Sequence, residues 1–334
     1  DRYCDFSIRF KHPRISGVTA PLRPYNSTLQ PQLRTVFSMS HPTIRGSLVA
    51  LITPFNEDGS VNFDKLGELI DFHLANSTDA LVILGTTGES STMSHEEDNA
   101  VCEYTVKRVA GRIPVIAGSG SNSTQTMLEK SLSYERLGAD GLLLITPYYN
   151  KTNEEGMYLH FKTVADAVKI PCILYNVPGR TGCSISVANV ARLSQHPNIV
   201  GIKEASGNMS YAAKVAKYLS DDFAMYSGND DMIVPLLSIG ASGVISVLAN
   251  IAPKETHQMV FDYLEGRTDD ARRAQIELLD VINDLFIEVN PVPVKEAMNL
   301  LGMDVGGYRL PLTHMTEAHR ETLRSSLAAA GFLK

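Results

Sequence analysis

Lys203 ends a short apolar run, Ile199-Val200-Gly201-Ile202-Lys203, and is the residue of this sequence with the most chemistry to offer. Alternate residues of a strand share a face, so Ile199, Gly201 and Lys203 point one way and Val200 and Ile202 the other. With the Val/Ile face packed on helices, the ammonium is carried inward. Desolvation there lowers a lysine pKa by up to about 3–5 units and leaves a nucleophilic amine. The plainer alternatives are an ammonium snorkelling to solvent or pairing with Glu204. By the same alternation Tyr175 shares a face with Pro171 and Ile173 in the preceding run. A phenol beside an imine-forming amine can give and take protons; otherwise it is a core tyrosine with a satisfied hydroxyl. Thr86 also stands at a strand end, and its hydroxyl can pass a proton without ionising. The Thr86–Gly88 turn, ahead of a helix from about Ser94, can present N–H groups to a carboxylate, or simply punctuate a strand and a helix.

The His95-Glu96-Glu97-Asp98 cluster invites a metal reading, with His95 and Asp98 one helical turn apart. Acids opening a helix near Ser94 are better explained by the helix dipole, and no metal site is expected. Cys4, Cys102, Cys172 and Cys183 are scattered and form no CxxC pair, which reads as reduced thiols of a cytoplasmic protein.

These residues depend on a regular framework. Strand-length runs at Ser47–Thr53, Ala80–Gly85, Pro114–Gly118, Gly141–Thr146, Pro171–Asn176, Ile199–Ala205, Phe223–Ser227 and Gly243–Val247 alternate with helix-length amphipathic stretches. The repeat of roughly 20–34 residues is that of a βα unit. Near-continuous apolar strands between helices imply a parallel sheet, and eight units close into a (β/α)8 TIM barrel of α/β class. A doubly wound sheet would want a Gly-rich turn after its first strand, where this chain has Thr53-Pro54-Phe55. Gly118-Ser119-Gly120 is half of a dinucleotide fingerprint, with Ser at position 123. The barrel is assigned to residues 39–267 and a C-terminal helical block to 268–334, with Pro291 and Pro293 as breakers. Function is then expected at the C-terminal ends of the strands.

Composition narrows the classes. The 334 residues are 44% hydrophobic and 20% charged, with a net charge of −7 and pI near 5.7. That balance disfavours nucleic acid and anionic membranes as partners, and no apolar run approaches the ~18 residues of a membrane span. Residues 1–38 carry six Lys/Arg against two acids and four prolines, leaving −11 on the rest. We read them as a poorly ordered leader, vector-derived ahead of a native start at Met39; an organellar transit peptide is the alternative.

The motifs GTTGES (85–90), TPYYN (146–150), YNVPGRTG (175–182) and GIKEASG (201–207), in this order and spacing, resemble the dihydrodipicolinate synthase family of the pyruvate-dependent class I aldolases, the group of N-acetylneuraminate lyase. The resemblance runs from Met39 to the C-terminus, and Arg180 within VPGRTG favours the synthases over the lyases. It implies that Lys203 forms a Schiff base with pyruvate, whose enamine attacks L-aspartate 4-semialdehyde on the route to diaminopimelate and lysine. Tyr175, Thr86 and Tyr149 would form the proton relay, with Tyr149 supplied across a dimer interface of a homotetramer, a dimer of dimers. Thr87 would bind the pyruvate carboxylate and Arg180 that of the semialdehyde, with Gly228 and Ile245 lining the pocket. No metal or organic cofactor is implied.

The resemblance also marks a lysine feedback site. Ser90, His95, Asn122 and Tyr148 match it, but Asp98 replaces a histidine, Thr126 a glutamate and Ser91 an alanine of regulated members. Weak or lost allosteric inhibition by lysine is therefore expected. Two other functions stay open on sequence grounds: a sister aldolase or lyase using the same Lys203 imine on another aldehyde or 2-oxo acid, and a non-catalytic paralogue. The intact Lys203, Tyr175, Thr86 and Tyr149 speak against the second.

Overall fold

The computed structural model of the protein describes residues 43–333; the leader read over residues 1–38 and the start at Met39 lie outside the described residues. The first half of the barrel is β1 (Gly46–Ala50), α1 (Phe63–Ala75), β2 (Ala80–Ile83), α2 (His95–Val109), β3 (Val115–Gly118), α3 (Thr124–Leu137), β4 (Gly141–Ile145) and α4 (Glu154–Ala167). The second half is β5 (Cys172–Asn176), the single turn α5 (Pro178–Thr181), α6 (Val187–Leu193), β6 (Ile199–Glu204), α7 (Met209–Val215), β7 (Ala224–Ser227), α8 (Ile233–Leu237), β8 (Gly243–Ser246) and α9 (Pro253–Leu264). All eight strands are parallel, in sequence order, and β8 pairs back to β1, so the sheet closes. The expected (β/α)8 barrel is the fold, and the open doubly wound sheet is not. Among the described residues no helix is long and apolar enough to cross a membrane.

The near-continuous apolar strands are explained by two cores. Leu48, Val82, Ile116, Leu143, Ile173, Tyr226 and Ile245 fill the barrel interior, while Val49, Leu81, Leu142, Leu174 and Ile202 pack outward on the helices. Helix starts are set locally: Asn62, Ser94, Ser123, Asn153, Ser186 and Asn208 each accept the N–H three residues on. Four helices follow the barrel: α10 (Thr268–Glu277), α11 (Leu279–Asp284), α12 (Val292–Leu300) and α13 (Glu317–Ala329). Val281, Val294, Met298, Leu323 and Leu327 from these helices join the barrel's outer core.

Two sequence expectations are corrected. Strict alternation fails at the start of β6, because the β5–β6 register shifts between Cys172 and Ile173. Ile199 consequently packs outward and Val200 against the interior, while Ile202 and Lys203 recover the expected faces. The extra residue of a bulge resets strand parity. Pro293 does not break a helix; it lies in the first turn of α12, where a missing N–H costs nothing.

Gly243 sits on the closing seam, opposite Gly46, and a Cβ there would collide with the Gly46 carbonyl oxygen. The neighbour is backbone and cannot rotate away. Gly243→Ala is expected to cost about 1–3 kcal/mol or more through overpacking, read as a fall in the urea midpoint; an unchanged midpoint would show that the seam yields.

Candidate active site

Lys203 is placed by the register of β5, β6 and β7, opposite Tyr175 on one side and Tyr226 on the other. Gly228 makes room for it: a Cβ there would lie 3.1 Å from both Cγ and Cε of Lys203. The side chain is 6% exposed, and Nζ stands 4.4 Å from the centre of the Tyr175 ring. Burial pushes its pKa down to about 8; the Asp230 carboxylate works against that and the Arg180 guanidinium with it. The pairing with Glu204 that the sequence left open does not form. Asn176 Nδ2 donates to Glu204 Oε2 at 2.8 Å, and the Ser206 N–H donates to Oε1 at 2.8 Å. Asn176 in turn accepts the Ile185 N–H at 3.0 Å.

Tyr175 is buried, which raises its pKa, while Arg180 and the Thr86 side chain pull it back. The turn α5 directly after β5 carries Arg180. Thr86, Tyr175 and Arg180 line one cavity of about 490 Å³ that runs on past Tyr148 to α2 and α3. The Thr86–Gly88 turn is held rigidly. Gly88 and Glu89 donate their N–H groups to Gly85 and Thr86, and the Thr53 hydroxyl donates to the Gly88 carbonyl at 2.7 Å. The Thr86 and Thr87 N–H groups have no backbone partner among the described residues. Glu89, with φ of +55°, turns its carboxylate inward onto Lys295 Nζ at 2.5 Å. Lys295 also donates to the Gly307 carbonyl at 2.9 Å and lies 4.2 Å from the Phe55 ring centre.

Thr87 is buried, and its hydroxyl accepts a 2.9 Å hydrogen bond from Asn290 Nδ2. Gly228 backs onto Lys203, and Ile245 is a fully buried wall of the barrel interior. Tyr149 stands apart: Lys203 and Thr87, which do not line the cavity either, are buried, whereas Tyr149 is 90% exposed, at φ +68°. Within one chain the structure therefore brings together Lys203, Tyr175, Thr86 and Arg180, but not Tyr149. Of the residues expected from sequence at a feedback site, Ser90, His95 and Tyr148 line the cavity with Asp98, Thr126 and Lys130, whereas Asn122 does not. The Asn122 carbonyl accepts from Asn150 Nδ2 at 3.0 Å, tying the loops after β3 and β4. Lys130 Nζ lies 2.8 Å from the buried Asp98 carboxylate. The acids of the His95–Asp98 cluster are otherwise engaged: Glu97 completes a capping box with Ser94 and pairs with Arg309. Among the described residues no group of three or more His, Cys, Asp or Glu could hold a metal ion.

Residues 43–330 match the dihydrodipicolinate synthetase family. A 4-hydroxy-tetrahydrodipicolinate synthase of Acetivibrio thermocellus is 52% identical over 295 residues, 88% of this chain and 100% of that protein. The chain belongs to the dihydrodipicolinate synthetase family. Solved structures of similar proteins agree in fold. The dihydrodipicolinate synthase of Aquifex aeolicus has a TM-score of 0.83 at 46% identity, covering 85% of this chain and 97% of that one. The chloride-inhibited enzyme of Acinetobacter baumannii, complexed with pyruvate, has a TM-score of 0.85 at 43% identity, covering 87% and 100%.

In this family member, sequence reasoning missed Asp230, Asn290 and Lys295. Asp230 Oδ2 accepts the Val247 and Leu248 N–H groups at 2.9 Å each, clamping the turn that follows β8. The lysine in the otherwise apolar Val292-Pro293-Val294-Lys295 stretch was the available signal. A charge there must be paired inside or absent. An amine of pKa about 8 is roughly one-tenth neutral at pH 7, against ~1 in 3,000 for an ordinary lysine. Since only the neutral amine attacks a carbonyl, borohydride trapping of a 2-oxo acid on Lys203 should quicken as pH rises to about 8 and then level off. A rate still climbing at pH 10 would place Lys203 at an unperturbed pKa.

Proposed function

We infer that the protein condenses pyruvate with L-aspartate 4-semialdehyde to give 4-hydroxy-tetrahydrodipicolinate, on the route to diaminopimelate and lysine. The observation that carries this reading is a buried Lys203 of lowered pKa beside Tyr175, at the catalytic end of a barrel of this family. Lys203 Nζ adds to the ketone carbon of pyruvate; water leaves and an imine forms. Loss of a methyl proton gives the enamine, whose carbon attacks the semialdehyde carbonyl. The semialdehyde's own amine then displaces Nζ at the imine carbon, closing the ring and freeing Lys203. The protonated imine is the electron sink, so the reading requires no metal or organic cofactor.

Tyr175 and Thr86 carry protons to and from the reacting centre, and Tyr149 of a second copy completes the relay. An aromatic residue left 90% exposed on one chain suits that use, and the assembly proposed is a homotetramer built as a dimer of dimers. Arg180, in the cavity lining, holds the semialdehyde carboxylate, to which a guanidinium offers two parallel hydrogen bonds. Thr87 takes the pyruvate carboxylate, and Gly228 and Ile245 shape the pocket. We place the enzyme in the cytoplasm. Turnover of the two substrates, coupled to dihydrodipicolinate reductase and followed as NADPH loss, should be abolished in Lys203→Ala. Folded protein without turnover would shift the reading to a sister aldolase with another aldehyde.

Feedback by lysine is proposed to be weak or lost. The arm of the cavity near α2 and α3 contains the protein's own ammonium, Lys130, on Asp98, and Thr126 offers no charge to a ligand's amine. Loss of one charge-assisted contact weakens binding about ten- to hundred-fold. Lysine titrated into the coupled assay should leave the rate unchanged through the sub-millimolar range; half-inhibition within that range would refute the proposal.

A further inference from the structure

Asn290 lies between α11 and α12, 203 residues from Thr87 in sequence, yet its side-chain amide reaches the Thr87 hydroxyl at 2.9 Å. Both residues are buried, so no water competes for either group. A threonine hydroxyl has one proton to donate and two lone pairs to accept with. Nδ2–H occupies a lone pair, which leaves the O–H of Thr87 to be donated elsewhere. A carboxylate can only accept. A hydroxyl polarised by an incoming N–H is also the stronger donor. The turn carrying Thr87 has little freedom to adjust, being anchored by Thr53 at Gly88 and by Lys295 at Glu89. Asn290 Oδ1 is buried with no hydrogen-bond partner among the described residues, so the Thr87 contact is the one bond holding this amide.

We propose that Asn290 is a positioning residue for the substrate carboxylate: by donating to Thr87 Oγ1 it commits the Thr87 proton to the pocket, and so sets the affinity for the 2-oxo acid. This rests on the reading of Thr87 as the pyruvate-carboxylate donor. The helical segment after the barrel thereby tunes one substrate and not the other, since Arg180, the proposed contact for the semialdehyde, belongs to α5.

The test uses steady-state kinetics on the full chain with Asn290→Asp, Asn290→Leu, Thr87→Val and the Thr87→Val/Asn290→Leu double variant. A carboxylate at position 290 accepts the Thr87 proton and turns lone pairs toward the substrate. Asn290→Asp should therefore raise the pyruvate KM by roughly ten-fold or more, with the semialdehyde KM within about two-fold. Asn290→Leu, which neither donates nor accepts, should raise it less. In the Thr87→Val background Asn290→Leu should change it no further. Equal rises for both substrates, an Asn290→Leu effect as large as that of Asn290→Asp, or additivity in the double variant would overturn the proposal. Should Asn290→Asp not fold, the Thr87→Val/Asn290→Leu cycle decides alone. An active Thr87→Val variant with unchanged pyruvate KM would remove the role of Thr87 itself, a failure distinguishable from that of Asn290.

Discussion

An ammonium in water needs nothing from its neighbours, but one carried into a packed barrel must find a counter-charge or surrender its proton. This protein buries two lysines deeply, Lys295 with an ion-pair partner and Lys203 without one among the described residues. Burial pushes Lys203 and Lys295 alike down to about 8. Lys295 meets Glu89 at 2.5 Å, the Gly307 carbonyl and the Phe55 ring, so its donors are consumed by the fold. Lys203 has no ion-pair partner among the described residues; the acid next to it in sequence, Glu204, is bound by Asn176 and Ser206 instead. The nearby Asp230 opposes the loss of the proton, but its Oδ2 is engaged by two backbone N–H groups. The pKa is lowered alike in the two, and what differs is that the Lys295 amine is engaged by its neighbours while that of Lys203 has no ion-pair partner among the described residues.

The closed parallel sheet decides where that amine can act. Every strand ends on the same rim, so residues far apart in sequence converge there without any long-range motif to bring them together. Thr86 and Thr87 follow β2, Tyr175 nears the end of β5 with Arg180 beyond it on α5, and Lys203 nears the end of β6. Rigidity comes from below and behind. Thr53 after β1 and the segment Asn290–Lys295 both grip the turn after β2, so the start of α12 is fastened to the rim at the strand ends.

The same cavity links chemistry to the surface between α2 and α3. It runs from Tyr175 and Arg180 past Tyr148 to the Asp98–Lys130 pair. Desolvation raises the Asp98 pKa and Lys130 offsets only part of the rise, and the acid is paired with this internal cation. Lys130 thus confronts any amine that enters this arm with a charge of its own sign.

Period and composition alone determined much of this protein. Eight strand-length apolar runs alternating with amphipathic helices left a closed barrel as the natural solution, because parallel strands buried on both faces need helices outside and a filled interior. Side-chain alternation placed Lys203 and Tyr175 on the inner face, since that period is local and survives until a bulge resets it, as it does at Ile199 and Val200. Tertiary structure decided the rest. Whether Lys203 paired with Glu204 depended on Asn176 and Ser206, and how Thr87 is oriented depends on Asn290, 203 residues away. Hydrogen-bond direction and desolvation are properties of surroundings assembled from the whole chain, and no local pattern encodes them.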